Sequence, residues 1–436
     1  MGSWSRKGWV VTLAGVGLNL ALGILYAWSI FSKQLTEPVA RGGFGWTRTQ
    51  ATMPYTIAIA CFAFMMVPAG RLQDRLGPRV IASTGAVLTG IGLVVASFAS
   101  PAASWPAVVG FGLLAGTGFG LGYAAATPAA VKWFPPRRKG LVTGLVVAGF
   151  GLAPVYIAPL SKWLLSNHGV AFSFRALGVA FLAVTLVLSQ FIVNPEKPLN
   201  VAAPGSAAAK AASADATWRE MIRTSDFWLL WLQYAFGATA GLMIIGHLAK
   251  IVAAQSNNAI QSGFVFVALL AVFNAAGRIV AGVVSDRIGR TVTLVSVFLL
   301  QASNMIFFSG FSTFTGFVTG SAVVGFSYGA CLSLFPATAA DRWGTKNLGL
   351  NYGILFTAWG VGGVFGPILA GRIADATGSY QLAYQIAAGL LMLATLLAMV
   401  SYVGVSVNLP EREVTIRVGK RKPAPEPGTT QAQASG

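Results

Sequence analysis

In the stretch AVFNAAGRIVAGVVSDRIGR, residues 271–290, Arg278 stands among small apolar residues. It is the only charged residue between Lys250 and Asp286. A guanidinium in such surroundings points to anion binding, because its planar fork donates two parallel hydrogen bonds to a carboxylate and stays charged at any working pH. Arg278 lies eight residues before Asp286, about 12 Å along a helix at a rise of about 1.5 Å per residue. That is close to the midplane of a hydrocarbon core about 30 Å thick, where an arginine is costly and by default functional. Snorkelling to the interface would also account for an arginine here, over a long climb for one side chain. A structural ion pair would do so too, although no Asp or Glu stands in the interior of the apolar runs, Asp226 being the first residue of its run. Asn274, one turn earlier on the same face, can hydrogen-bond but cannot titrate. His247 is one of two histidines. With no acidic side chain in the interior of the apolar runs, it is the candidate for proton coupling; His168 is expected in a solvated loop.

The elements that position these residues must be membrane spans. Of the 436 residues, 55% are hydrophobic and 10% charged, against about 25% charged in ordinary soluble domains, and the mean hydropathy is +0.69. Twelve apolar runs are each long enough to cross a bilayer: about 8–32, 48–70, 80–99, 106–131, 141–163, 171–193, 226–252, 262–284, 291–310, 314–338, 348–371 and 380–404. The net charge of +18 does not indicate nucleic acid, which calls for a contiguous basic patch. With Met1 in the cytoplasm, the inside loops hold 22 of the 30 Lys and Arg, five of them from Arg412 onward, and the outside loops seven. This is the positive-inside bias, and it assigns both termini to the cytoplasm. Cys61 and Cys331 fall inside apolar runs and offer neither a disulfide framework nor metal spacing. No cofactor or metal is expected, and neither is an enzyme: the spans hold no clustered His, Asp or Glu, and the chain has no nucleotide-binding loop.

The chain also repeats itself. GRLQDRLGPR at 70–79 returns as GVVSDRIGRT at 282–291, and GFGLGYAAATPAAVKWF at 118–134 returns loosely as GFSYGACLSLFPATAADRW at 325–343. GLVTG at 140–144 returns as GLNYG at 349–353. Two similar halves of six spans describe a transporter built from repeats. The expected organisation is a six-helix bundle over 1–193, a cytoplasmic linker over 194–225, a second bundle over 226–408 and a disordered tail over 409–436. Within the linker, TWREMIR is expected to form a short amphipathic helix on the membrane surface.

The doubled G-x-x-x-D-R-[LI]-G motif resembles the loop motif of the major facilitator superfamily. Gly70 and Gly282 permit close helix approach, while Asp74, Arg75, Asp286 and Arg287 are expected to pair across the halves when the cytoplasmic side shuts. YAWSIF (26–31), KWFPPRRKGLVTGLVVAGFG (132–151) and DFWLLWLQYAFGATAGLMIIG (226–246) resemble the oxalate/formate antiporter family, a branch related to eukaryotic monocarboxylate transporters. The resemblance implies an all-α membrane protein of twelve helices in two bundles, with Arg278 in the position that binds substrate carboxylate. Relatives carry an aspartate at the position of Asn274, which puts a carboxylate proton carrier in doubt here. Oxalate transporters carry a lysine in the eleventh helix. In LFTAWGVGGVFGP (355–367) the matching position is Trp359, and with Phe356 it implies a small, partly apolar cavity for a monoanion. Tyr26, Tyr123 and Tyr328 fall in helices that line the cavity in this superfamily. The expected function is alternating-access transport of a small monocarboxylate such as lactate or pyruvate, coupled to a proton, with oxalate/formate-type exchange against a counter-anion as the alternative. The expected setting is the lipid bilayer of a prokaryotic inner membrane, and the expected state is a monomer.

Overall fold

The computed structural model describes residues 3–196, 215–260 and 262–407. Among the described residues the secondary structure is helical throughout, apart from one isolated bridge between Ser100 and Ala103. The spans are α1 (Ser3–Leu22, continued by a 3₁₀ turn Gly23–Ala27 and by Trp28–Thr36), α2 (Arg48–Leu76), α3 (Pro78–Ala96) and α4 (Trp105–Val131, with a π-helical stretch Val108–Ala115). The helix Lys139–Ser189 has 51 residues, about 76 Å at 1.5 Å per residue and more than twice the thickness of a hydrocarbon core. It breaks at Gly169, where φ is 73°, a backbone that glycine adopts without penalty. Two antiparallel spans therefore share one elbow: α5 (139–168) and α6 (170–189). His168 sits at this elbow, exposed, and its ring meets Trp163 at 5.4 Å and Phe172 at 4.6 Å, so it is not merely solvated.

The second half repeats the pattern with α7 (Ser225–Ile245, then Leu248–Gln255), α8 (Gly263–Ile288), α9 (Arg290–Phe308), α10 (Phe314–Trp343), α11 (Leu348–Thr377) and α12 (Gln381–Val407). The expected uninterrupted seventh span is corrected here: its helix breaks at Gly246 and His247. The linker helix is shorter than expected, Trp218–Ile222, and is capped by reciprocal hydrogen bonds between Thr217 and Glu220. It is tied to the second half, because Ala216 donates to the Trp343 carbonyl and accepts from the side chains of Asn347 and Asn351. The rest of the linker, 197–214, and the tail 409–436 lie outside the described residues.

The two bundles meet along α2 with α11 and α5 with α8, whereas α1 and α7 make at most marginal contact. Both seams close at the end that carries the repeated motif. A Cβ on Gly70 would lie 2.1 Å from the Gly349 carbonyl oxygen, and one on Gly282 would lie 2.3 Å from that of Gly140. Only glycine allows backbones this close. Asp74 accepts hydrogen bonds from the amides of Gly349 (3.3 Å) and Leu350 (3.0 Å), and Asp286 from those of Gly140 and Leu141, both 2.9 Å. Each aspartate thus caps the first turn of a helix in the opposite bundle, where free N–H groups and the helix dipole favour an anion.

The motif arginines behave differently from expectation. Arg75 and Arg287 are exposed, and neither forms an ion pair among the described residues. Lys132 pairs with Asp74 at 3.4 Å, while Arg290 pairs with Asp286 at 2.7 Å and Asp341 at 2.9 Å. The carboxylates point inward at backbone amides, so only cations behind the seam reach them. A Gly349→Leu variant is expected to hold the seam apart. Spin labels on the motif ends of α2 and α11 should report a longer distance than in the unaltered protein, and an unchanged distance would show that the seam tolerates a side chain.

Candidate functional site

Arg278 does not climb to the interface. Its side chain is 1% exposed and crosses from α8 into the first bundle. This crossing is possible because α5 is trimmed where it passes. A Cβ on Gly144 would lie 2.2 Å from the Arg278 carbonyl oxygen, and one on Gly151 would lie 3.2 Å from Cζ. The Nε of Arg278 donates to Asn274 Oδ1 at 2.8 Å, and one terminal nitrogen donates to the Val147 carbonyl oxygen of α5. The other terminal nitrogen, NH2, is buried without a partner. Among the described residues no carboxylate pairs with Arg278, so neither snorkelling nor a structural ion pair accounts for it. Asn274 fills the expected role of a neighbour that hydrogen-bonds without titrating. Val147 was not legible as a partner, because the acceptor is a backbone atom that any residue type supplies. On the far side of α5, Asn19 Nδ2 donates to the adjacent Val146 carbonyl at 2.8 Å, so this turn is gripped from both bundles.

An aromatic cluster lies beside the guanidinium. Phe62 of α2 is at its centre, with ring centroids 5.5 Å from Tyr123, 5.6 Å from Phe356 and 5.6 Å from Trp359. Phe356 and Trp359 stack at 4.8 Å, and Tyr123 meets Phe356 at 5.6 Å. Trp359 Nε1 donates to the Tyr328 hydroxyl at 2.7 Å, which leaves the Tyr328 O–H free to donate. Phe150, next in sequence to the Gly151 that faces the guanidinium, meets Tyr123 at 5.5 Å and Phe62 at 5.9 Å. Tyr26 sits at the edge, half-buried in the 3₁₀ turn of α1 with its ring 5.2 Å from Phe150. Five of the expected residues (Arg278, Tyr123, Tyr328, Phe356 and Trp359) are therefore brought together, with Asn274 holding the arginine.

Sequence reasoning missed Phe62, Phe150, Tyr234 and Tyr352. The internal repeat carried the signal for the first two. Phe62 precedes Asn274 by the same 212 residues that separate Gly70 from Gly282, and Phe150 precedes Trp359 by the 209 that separate Gly140 from Gly349. Tyr234 stacks on Phe335 at 4.1 Å, and Tyr352 meets Phe356 at 5.7 Å.

His247 does not join this group. It occupies the break in α7, and its Nε2 lies 2.9 Å from the Pro367 carbonyl oxygen of α11. Pro367 is eight residues beyond Trp359, about 12 Å further along the helix and away from the motif end. The Nδ1 of His247 is buried without a partner, and its ring faces Tyr380 at 5.6 Å.

The all-helical architecture, with helices of membrane-crossing length, agrees with what comparison by sequence finds. The profile of the Major Facilitator Superfamily matches residues 8–300 and 235–430. The chain belongs to the major facilitator superfamily. It is a multi-pass integral membrane transporter. It is 27% identical to the oxalate:formate antiporter of Oxalobacter formigenes over 381 residues, covering 86% of each chain. It is 25% identical to monocarboxylate transporter 13 of Bos taurus over 442 residues, covering 98% of this chain and 97% of the other. The fold matches the crystal structure of the fucose:proton symporter of Escherichia coli with a TM-score of 0.66 at 15% identity, over 88% of this chain and 98% of that one.

The Trp359–Tyr328 bond gives this superfamily member a specific test. Tyr328→Phe leaves a buried indole N–H unsatisfied and is expected to cost about 1–3 kcal/mol. Adding Trp359→Phe removes the orphan and should recover part of the loss. Thermal unfolding in detergent checks this, and equal, additive losses would mean that the bond does not couple the two helices.

Proposed function

We propose that this transporter carries small monocarboxylates across the membrane by alternating access, and that Arg278 is the group that binds the carboxylate. The observation that carries the reading is the unpartnered NH2 of a fully buried arginine lying between the two bundles. A carboxylate oxygen there gains a charge-assisted hydrogen bond in a medium of low dielectric. The free Tyr328 O–H supplies a second donor for the other oxygen. Phe62, Phe356 and Trp359 offer an apolar wall that suits a short alkyl or keto group and excludes water. Two relatives whose names specify carboxylates, the oxalate:formate antiporter and monocarboxylate transporter 13, support the same class.

Proton-coupled symport is favoured over obligatory exchange by the partners that the protein itself gives Arg278. With two of its nitrogens held by Asn274 and Val147, the arginine is not left wholly unsatisfied between cargoes, which lowers the cost of returning without an anion. The proton then travels on the substrate or through His247. Exchange of oxalate and formate is the second reading, favoured by the antiporter relative. Trp359, whose N–H is already committed to Tyr328, supplies no second cation for a dianion.

In this scheme the bundles 1–193 and 226–408 rock about the site with the linker 194–225 between them. The motif end faces the cytoplasm together with both termini, and one chain suffices for a cycle. Gly70, Asp74, Gly282 and Asp286 form the cytoplasmic gate, with Arg75 and Arg287 at its rim.

The test is uptake of labelled lactate into proteoliposomes under an acid-outside gradient. Accumulation that collapses with a protonophore is the expected result. Uptake only after loading a second carboxylate inside would establish exchange instead. Arg278→Ala is expected to lower uptake about 100-fold, the equivalent of about 3 kcal/mol of charge-assisted hydrogen bonding, with normal membrane insertion. Normal uptake by that variant would remove Arg278 from the binding role. Trp359→Lys is expected to shift preference toward oxalate, and an unchanged oxalate affinity would mean that position 359 does not meet the substrate.

A further inference from the structure

A small cavity lies inside the second bundle, lined by Gly237 and Gly241 of α7, Gln301 of α9, and Ser327, Tyr328 and Cys331 of α10. The two glycines let α7 run close to its neighbours here. A Cβ on Gly237 would lie 3.0 Å from the Phe298 ring and 3.5 Å from Cys331 Sγ, and one on Gly241 would lie 2.7 Å from the Tyr328 ring. The centre of a water-sized sphere has about 10 Å³ to move in, close to the room one water needs.

The polar atoms around this space make the case. Gln301 is 3% exposed and Ser327 2%. The amide nitrogen and oxygen of Gln301 and the hydroxyl of Ser327 all lack a hydrogen-bond partner in the protein. In a bundle surrounded by lipid such groups cannot turn outward to bulk water, and each unsatisfied one is destabilising. Neither Gln301 nor Ser327 carries a formal charge, so the site fits a neutral molecule that both donates and accepts. Three polar partners is also the usual number for a buried water.

We propose that Gln301 and Ser327 bind one internal water in this cavity, and that the water supports the turn of α10 carrying Tyr328. Ser327 is the residue next to Tyr328, whose hydroxyl receives the Trp359 N–H. The water is thus a strut behind the wall of the candidate site. Only this last step rests on the carboxylate reading.

The test uses the full chain in detergent. Gln301→Leu and Ser327→Ala are each expected to lower the Tm, because each takes a partner from a water that the other residue still needs. The double variant should lose less than the sum of the two. If each substitution raises the Tm and the effects add, the groups are independent orphans and the water site is wrong. A high-resolution map of the unaltered protein reads the site without any variant. A density peak about 2.7–3.2 Å from the Gln301 amide and the Ser327 hydroxyl is expected, and an empty cavity overturns the proposal. Neither measurement involves the substrate, so the failure of the carboxylate reading would leave both intact.

Discussion

A single cation held in a low-dielectric interior without a protein carboxylate governs this molecule. Burying Arg278 is costly, and the fold meets that demand with an amide oxygen from its own helix and a backbone carbonyl from the opposite bundle. The second of these requires α5 and α8 to run almost in contact. That contact in turn requires glycine at 140, 144 and 282. The arginine, the glycines and the aspartate caps are therefore one arrangement: the caps at the motif end hold the helices at the separation that the arginine needs.

The internal repeat explains both the symmetry and the places where it is broken. Seams α2–α11 and α5–α8 are built alike, with an aspartate of one bundle over a helix start of the other. Where α8 carries Asn274 and Arg278, the equivalent positions of α2 carry Phe62 and Met66. One seam is thus polar at mid-depth and the other aromatic. The candidate site lies where the two meet, with a charge on one side and a wall of rings on the other.

Much of this was legible in the residues. Apolar runs of span length located the helices, the doubled motif identified the superfamily, and an isolated charge marked Arg278. What was not legible has physical reasons. The Val147 carbonyl leaves no trace in residue type. The motif drew attention to Arg75 and Arg287, whereas the ion pairs use Lys132 and Arg290, whose partners are set by which way each carboxylate faces. The break at Gly246 and His247 is hidden because the apolar run continues through it. Phe62 and Phe150 look like ordinary lipid-facing or packing residues until the repeat is laid over itself.

The inward aim of the acidic side chains has an effect on the surface they leave behind. Asp74, Asp226, Asp286 and Asp341 are all engaged in ion pairs or backbone caps, while Arg71, Arg75, Arg79, Arg137, Arg138 and Arg287 stay exposed at the same end. A surface whose negative charge is spent internally presents a positive potential to its surroundings. Such a potential raises the local concentration of anions, and it fades with added salt. The motif end therefore collects anions at its surface while the seams behind that surface stay shut.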